Sequence, residues 1–346
     1  VKLRLGARTS PLSRAQADWV AARLAEHGVE TEFVGITTKG DVDQRELTRI
    51  GGTGIFAAAV REALLDGTID LAVHSLKDLP TLPEPGLRVA AVPVREDTRD
   101  VLVGLRLADL NEDGPTRVGT GAPRRAAQLI DYGRTSGQPI EAVPIRGNVG
   151  TRIELVRSGK VDAVVLAAAG LRRLGLLDPT GDQPLEVTGL PAELLAEEVM
   201  LPAPGQGALG LEVAESLAPD LAAAVAALND PAAAVETRTE RAFLARLEAG
   251  CTAPVGARAK VKSVHGKRHD LTLTAVVGGS LGSNPPRSIG DNTASIGEGS
   301  VLRVETDGSV DDSFDAPLRF ATEAADRALI ELRRTAQDSA RQARRG

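Results

Sequence analysis

Short apolar runs that end in polar residues alternate with helical segments, and the alternation occurs twice. Few folds other than a helix-covered sheet accept that pattern. Leu3 and Leu5 alternate with charges over residues 2–7, as in a half-buried strand. Ser10-Pro11 reads as an N-cap followed by proline at the first helical position. Leu12, Ala15, Trp19, Val20 and Leu24 then mark one face of a helix that stops near Gly28. A second strand is expected over 31–37, a helix over 55–67 closed by Gly67, and a buried strand over 69–75. A mostly parallel sheet follows from this order.

The pattern restarts after about residue 100. TRVGT (116–120) is a strand, PRRAAQLIDYG (123–133) a helix, IEAVPI (140–145) a strand, NVGTRIELVRSGK a helix and VDAVVLAAAG a buried strand. Residues 93–100, PVREDTRD, lack periodicity and suit a hinge. LPAPGQGALGLEV (201–213) reads as a loop and then a strand returning to the first domain. Two Ala-rich helices (216–229 and 231–248), strands near 255–262, 270–277 and 301–305, and a helix from about 316 to 343 suggest a small α+β unit. Residues 278–300, rich in Gly, Ser and Asn, read as a mobile loop. The expected fold class is α/β in three domains. They are residues 1–96 with 198–215, residues 97–197, and residues 216–346.

Composition narrows the function. Aromatic residues make up 2% of the 346, so the core must come from Ala, Val, Leu and Ile, and stacking platforms for single-stranded nucleic acid are disfavoured. The net charge of −6 also speaks against a nucleic-acid partner. Residues 117–173 nevertheless hold ten Arg/Lys against four Asp/Glu, 10 − 4 = +6, which leaves −12 for the remainder. Nearly all those cations are arginine, the side chain suited to bidentate carboxylate or phosphate binding. No apolar run approaches a membrane span, and the N-terminus lacks the apolar core of a signal peptide. A single cysteine permits no internal disulfide, so a cytoplasmic location is expected.

Ligands of open α/β sheets gather at the carboxyl ends of strands. Arg8 and Ser10 fall at one such end, and His74, Ser75, Lys77 and Asp78 at another. Thr120, Arg124 and Arg125 fall at a third, and Arg146, Asn148 and Arg152 at a fourth. Arginines in the first turn of a helix oppose its dipole, so the pair at 124–125 suggests a ligand that compensates them. A carboxylate at Asp78, beside Lys77, suits balancing a cation or shuttling a proton to a leaving amine. The structural alternative is a helix cap or a surface ion pair. Cys251 sits in a Gly/Thr/Pro turn, LEAGCTAPVG. It is either a small buried hydrophobe or an accessible thiol that a cationic surround makes nucleophilic. GGTGIF (51–56) has the wrong spacing for a dinucleotide loop. His265 and His269 lack a third ligand, so no metal is expected.

The ordered set of motifs is more specific than any one of them. ARTSPLSRAQA (7–17), GIF (54–56), AVHSLKDLP (72–80), RED (95–97), GT..PRR (119–125) and IRGNVGTR (145–152) are followed by LAAAGLRRLG (166–175), PGQGALG (204–210) and TERAFLARLEAGCTAPVG (239–256). In this the chain resembles the hydroxymethylbilane synthase (porphobilinogen deaminase) family over nearly its whole length. The resemblance implies three domains, two doubly wound α/β domains like periplasmic binding proteins and a small α+β C-terminal domain. It implies stepwise head-to-tail condensation of four porphobilinogen molecules, with loss of ammonia, on a dipyrromethane cofactor joined to Cys251 through a thioether. A linear tetrapyrrole is then released by hydrolysis.

Carried over by motif, Asp78 is the catalytic acid. Lys77, Ser75, Thr120, Arg124, Arg125 and Arg152 bind the cofactor. Arg8, Ser10, Arg146, Arg152, Arg173 and Gln206 bind substrate and the growing chain, and Phe56 sits on a lid. The implied partner is porphobilinogen alone, with no nucleic acid, no membrane and a monomeric chain. This sequence departs from the family at Thr53, commonly lysine. It also has Gly121-Ala122 where serines are often found, and an extended 278–313. The competing reading is a non-enzymatic solute-binding protein, which has no use for the thiol and would leave it unmodified.

Overall fold

A computed structural model describes residues 2–37, 55–111, 113–178, 185–247, 254–278, 301–311, 319–327 and 330. The chain forms two compact units, Val1–Asp97 with Gly205–Arg238 and Thr98–Pro204 with Thr239–Gly346.

The first unit contains β1 (Lys2–Arg8), α1 (Pro11–Glu26), β2 (Glu30–Ile36), α2 (Ile55–Leu65), β3 (Leu71–Ser75), β4 (Leu87–Ala91) and β11 (Leu209–Ala214). The Ser10 hydroxyl caps α1 by accepting the Ser13 N–H at 3.3 Å. Strand residues of odd number, Leu3, Leu5, Ala7, Leu71 and Val73, bury against Ala17, Val20 and Leu24 of α1. Alternation turns Ala72 to the opposite face, where it packs with Val60, Ala63 and Leu64 of α2. That burial of aliphatic surface, at about 25 cal/mol per Å², forms this core almost without rings. Helix α6 (Pro219–Ala226) adds Leu221 and Val225 to the α1 face.

The strand order is β2-β1-β3-β11-β4. β1 runs parallel to β2 and β3, whereas β11 is antiparallel to both β3 and β4. The sheet is therefore mixed rather than mostly parallel. The returning strand is inserted between β3 and β4, and β4 carries too little pattern (LRVAA) to stand out in the sequence.

The second unit repeats the plan with β5 (Asp100–Val103), β6 (Thr116–Thr120), α3 (Pro123–Ser136), β7 (Ile140–Pro144), α4 (Val149–Arg157), β8 (Ala163–Ala167), α5 (Ala168–Arg173), β9 (Glu186–Val187) and β10 (Leu190–Leu194). Its order is β7-β6-β8-β5-β10-β9. β6 runs parallel to β7 and β8, and β5 is antiparallel to β8. β5, the first strand of the second unit, thus lies beside β8 as β11, the strand on which the chain returns to the first unit, lies beside β3. β8 ends at Ala167 instead of running on through the alanines, which form α5, in keeping with alanine's helix preference. The residues expected to be a hinge up to position 100 include the first residue of β5.

A third sheet, also in the second unit, is an antiparallel meander of β12 (Val255–His265), β13 (Arg268–Gly278) and β14 (Val301–Asp311). Residues 319–327 are helical. An added Cβ at Gly308 of β14 would collide with the Phe320 ring, so glycine there admits the aromatic side chain. The long polar segment expected to be a mobile loop lies outside the described residues from 279 to 300. Among the described residues no helix is long and apolar enough to cross a membrane, and no group of His, Cys, Asp and Glu could hold a metal ion.

Candidate active site

In the first unit the HSLKDLP motif straddles a strand end. β3 stops at Ser75, and Leu76–Asp78 form one 3-10 turn. Leu76 donates its N–H to the Ala208 carbonyl at 3.0 Å, and Leu79 donates to the Leu76 carbonyl at 3.2 Å. The side chains of Leu76 and Leu79 bury among Ala57, Val92, Ala208, Ala233 and Ala234. With both leucines turned inward, Asp78 is exposed and Lys77 is half-buried.

Lys77 Nζ donates to Gln206 Oε1 at 3.2 Å. Gln206, expected to line the site, is fully buried. Its carbonyl accepts Arg95 Nε at 2.9 Å, and Arg95 pairs with Glu236 at 3.3 Å. The PGQG loop can run so close only because of its glycines. Gly207 has φ +85°, and a Cβ there would strike the Glu96 carbonyl.

Ser75 turns to the α1 face, where its Oγ accepts from Gln16 Nε2 at 3.0 Å and donates to Gln16 Oε1 at 3.2 Å. Gln16 was not expected at the site. Its signal was a polar residue on the apolar face of α1, where it is 3% exposed. Arg8 is half-buried at the end of β1, and Ser10 is engaged as the α1 cap. Phe56 lies on α2 with its side chain outside the described residues, and Thr53 lies wholly outside them.

In the second unit Arg124 and Arg125 open α3, and both are buried. The chain supplies these arginines with a carboxylate of its own. Arg124 Nη1 lies 2.7 Å from Asp100 Oδ2, and Arg125 Nη2 lies 2.7 Å from Asp100 Oδ1. Arg124 Nη1 also donates to the Leu201 carbonyl at 2.6 Å, and Arg125 Nη1 to the Val165 carbonyl at 2.8 Å. Asp100 is 0% exposed. Burial pushes its carboxyl up, but the charges and hydrogen bonds of the two arginines outweigh that and hold it well below the usual carboxylate range. Burial lowers Arg124, its charge pairing with Asp100 opposes this, and the neighbouring Arg125 charge lowers it further; the net direction is down.

One carboxylate therefore faces two guanidiniums. Arg152 adds a third cation, lowered first by burial and then by the charge of Arg125. Its Nε donates to the Gly147 carbonyl at 2.9 Å. Arg125 Nε is buried without a hydrogen-bond partner.

Thr120 is buried, and its Oγ1 accepts the Ala122 N–H at 3.1 Å. A Cβ at Gly121 would sit 2.7 Å from the Ile145 carbonyl oxygen, so glycine at this departure from the family lets the two loops approach. Asn148 caps α4 by accepting the Thr151 N–H at 2.9 Å. Arg146 is exposed beside that cap, and Arg173 is half-buried at the end of α5.

Cys251 lies outside the described residues, but the chain beyond it is anchored. The Pro254 carbonyl accepts the Gly278 N–H at 2.9 Å. A Cβ on Gly278 would meet Ala127 of α3 at 2.7 Å and Pro254 at 3.1 Å. Pro254 thus packs near the helix that begins with the paired arginines.

The model of the porphobilinogen deaminase dipyrromethane cofactor binding domain matches residues 3–219, and that of the porphobilinogen deaminase C-terminal domain matches residues 234–285. The chain belongs to the porphobilinogen deaminase family. Porphobilinogen deaminase 1 of Streptomyces coelicolor is 48% identical over 327 residues, covering 93% of each chain. The Streptomyces avermitilis protein of the same name is 46% identical over 330 residues, again covering 93% of each. Porphobilinogen deaminase of Syntrophus aciditrophicus is 42% identical over 333 residues, covering 94% of this chain and 95% of its own.

The porphobilinogen deaminase cofactor-domain match contains both the Asp78 turn and the arginine cluster, and the C-terminal match contains Cys251. Asp100 was missed in the sequence because it is the lone charged residue at the start of a four-residue strand. The only signal was a carboxylate leading directly into VLV.

The depressed carboxyl of Asp100 also sets an acid limit to stability. A group whose folded pKa lies below its unfolded one contributes stability that is complete above the unfolded value, about 3.9 for Asp. That contribution is lost as pH falls through the folded value. Melting temperature should therefore hold from pH 7 to about 5 and fall steadily below about 4. Asp100→Asn should flatten that acid limb, and an identical limb in the variant would contradict the assignment.

Proposed function

We propose that this chain is a hydroxymethylbilane synthase whose dipyrromethane is held by a thioether to Cys251. It condenses four porphobilinogen molecules head to tail, releases an ammonia at each addition and hydrolyses off the linear tetrapyrrole. The observation that supports this reading most directly is the guanidinium cluster of the buried Arg124 and Arg125, bridged by Asp100, with the half-buried Arg152 beside them. A dipyrromethane bears an acetate and a propionate on each ring, and carboxylates of that kind fit guanidinium forks. The buried Nε of Arg125 offers such a group a donor. Arg124, Arg125, Arg152, Lys77, Ser75 and Thr120 are the residues assigned to the cofactor.

When bound, the dipyrromethane supplies the electron-rich pyrrole carbon at which units are joined. Arg8, Ser10, Arg146, Arg152 and Arg173 orient the incoming carboxylates, and Arg146 is exposed for that task. Gln206 serves the site by holding the Lys77 ammonium. Asp78, exposed at the tip of its turn, delivers the proton with which the substrate's amine leaves as ammonia. Its carboxylate then faces the cation left on the substrate, where a fixed negative charge lowers the barrier. The enzyme acts as a cytoplasmic monomer on porphobilinogen.

Cys251→Ala tests the tether. The purified wild-type protein should weigh more than its sequence by two pyrrole units, and the variant should weigh its sequence mass. Both should show the same far-ultraviolet circular dichroism. A wild-type protein at sequence mass that consumes no porphobilinogen would instead support the solute-binding reading.

A further inference from the structure

His74 belongs to the HSLKDLP motif, yet it takes no part in the chemistry assigned to Ser75, Lys77 and Asp78. Alternation along β3 turns it away from Ser75, onto the α2 face of the sheet. It is 8% exposed there, and its Nε2 stands 3.0 Å from Glu212 Oε2, too bent for a straight hydrogen bond. Glu212, on β11, is 2% exposed. Arg61 of α2 grips the same carboxylate, with Nη2 2.8 Å from Oε1 and Nε 3.1 Å from both oxygens. Arg61 Nη1 reaches the Glu84 carboxylate at 3.4 Å. Burial pushes Glu212 up, and the close approach of His74 together with the hydrogen bonds and charge of Arg61 outweighs it, so its carboxyl lies below the usual range.

These groups tie three elements together immediately before the reactive turn. His74 is the penultimate residue of β3, Glu212 belongs to the strand paired beside it, and Arg61 comes from the covering helix. The backbone pairing of His74 with Gly210 sets the height of the strand, and Leu76 then donates to Ala208 of the same returning segment. The side-chain brace fixes the end of β3 sideways, and Asp78 follows four residues later. A buried ion pair is weak evidence for net stability, so the role to test for this one is positioning.

We infer that His74, braced by Glu212 and Arg61, is a positioning residue that holds the Asp78 turn in its reactive geometry. This rests on the reading of Asp78 as the proton donor. A displacement of about 1 Å at a reacting group costs up to about 10²-fold in rate. The brace should therefore appear in kcat and not in cofactor attachment or KM.

The test compares His74→Leu and His74→Gln with the wild-type holoenzyme, following ammonia release, intact mass and thermal melting. In glutamine the amide nitrogen reaches roughly the place of Nε2. His74→Leu should carry the full covalent adduct and keep KM within about threefold while kcat falls about 10- to 100-fold. His74→Gln should recover kcat to within about threefold of wild type. Equal kcat in leucine and glutamine variants, or a leucine variant with wild-type kcat, would overturn the inference. Should His74→Leu not fold, His74→Asn, whose amide is too short, takes its place with the same expected loss against His74→Gln. Equal kcat in that pair would overturn it likewise. Failure of the wild-type protein to release ammonia would reject the underlying reading instead.

Discussion

Asp100→Ala should destabilise the protein by about 3–5 kcal/mol, the cost of breaking a buried ion pair from one side. It should also leave the purified chain without its pyrrole adduct. Asp100 is fully buried and touches Arg124 and Arg125 at 2.7 Å each. Removing it leaves two buried guanidiniums without the carboxylate that bridges them. Their repulsion should open the first turn of α3, where both arginines proposed to hold the cofactor sit. Asp100→Asn keeps the shape and removes only the charge, so its loss of stability should be smaller while the adduct is still reduced. Urea unfolding with intact mass checks both. A stable, fully modified Asp100→Ala protein would show that the pair needs no internal counter-charge.

The second large effect is on rate alone. Asp78→Asn should lower ammonia release about 10²- to 10⁴-fold, the usual share of a positioned general acid. Stability should change by no more than about 0.5 kcal/mol, as for an exposed side chain. Asp78 is exposed, and the turn that presents it is held by Leu76 and Leu79, which the substitution leaves alone. Asparagine is nearly isosteric, so binding should persist while proton delivery and the negative charge are lost. Near-normal turnover in Asp78→Asn would remove this residue from the chemistry.

Much of this arrangement was legible before any coordinates. The β-α-β-α-β order, written twice, specifies two helix-covered sheets because each period fits only one kind of element. Leu76 and Leu79, three apart, bracket Lys77 and Asp78, so a single turn buries the leucines and presents the charges. What stayed hidden depends on partners distant in sequence. β11 is antiparallel because it enters from residue 204 onwards, and no local pattern records direction. Asp100 read as part of a hinge, since one carboxylate before VLV signals burial only once Arg124 and Arg125 are placed above it. His74 read as one more polar residue at a strand end until the alternation of β3 set it against Glu212.

The account turns on a thiol-tethered primer that grows on a cationic surface, and intact mass spectrometry follows that growth directly. Purified protein given porphobilinogen and quenched at intervals should show a ladder of covalent species. Each should be one pyrrole unit above the last, up to four beyond the resting adduct, and none should appear in Cys251→Ala. A single unchanging mass while porphobilinogen is consumed would contradict the account.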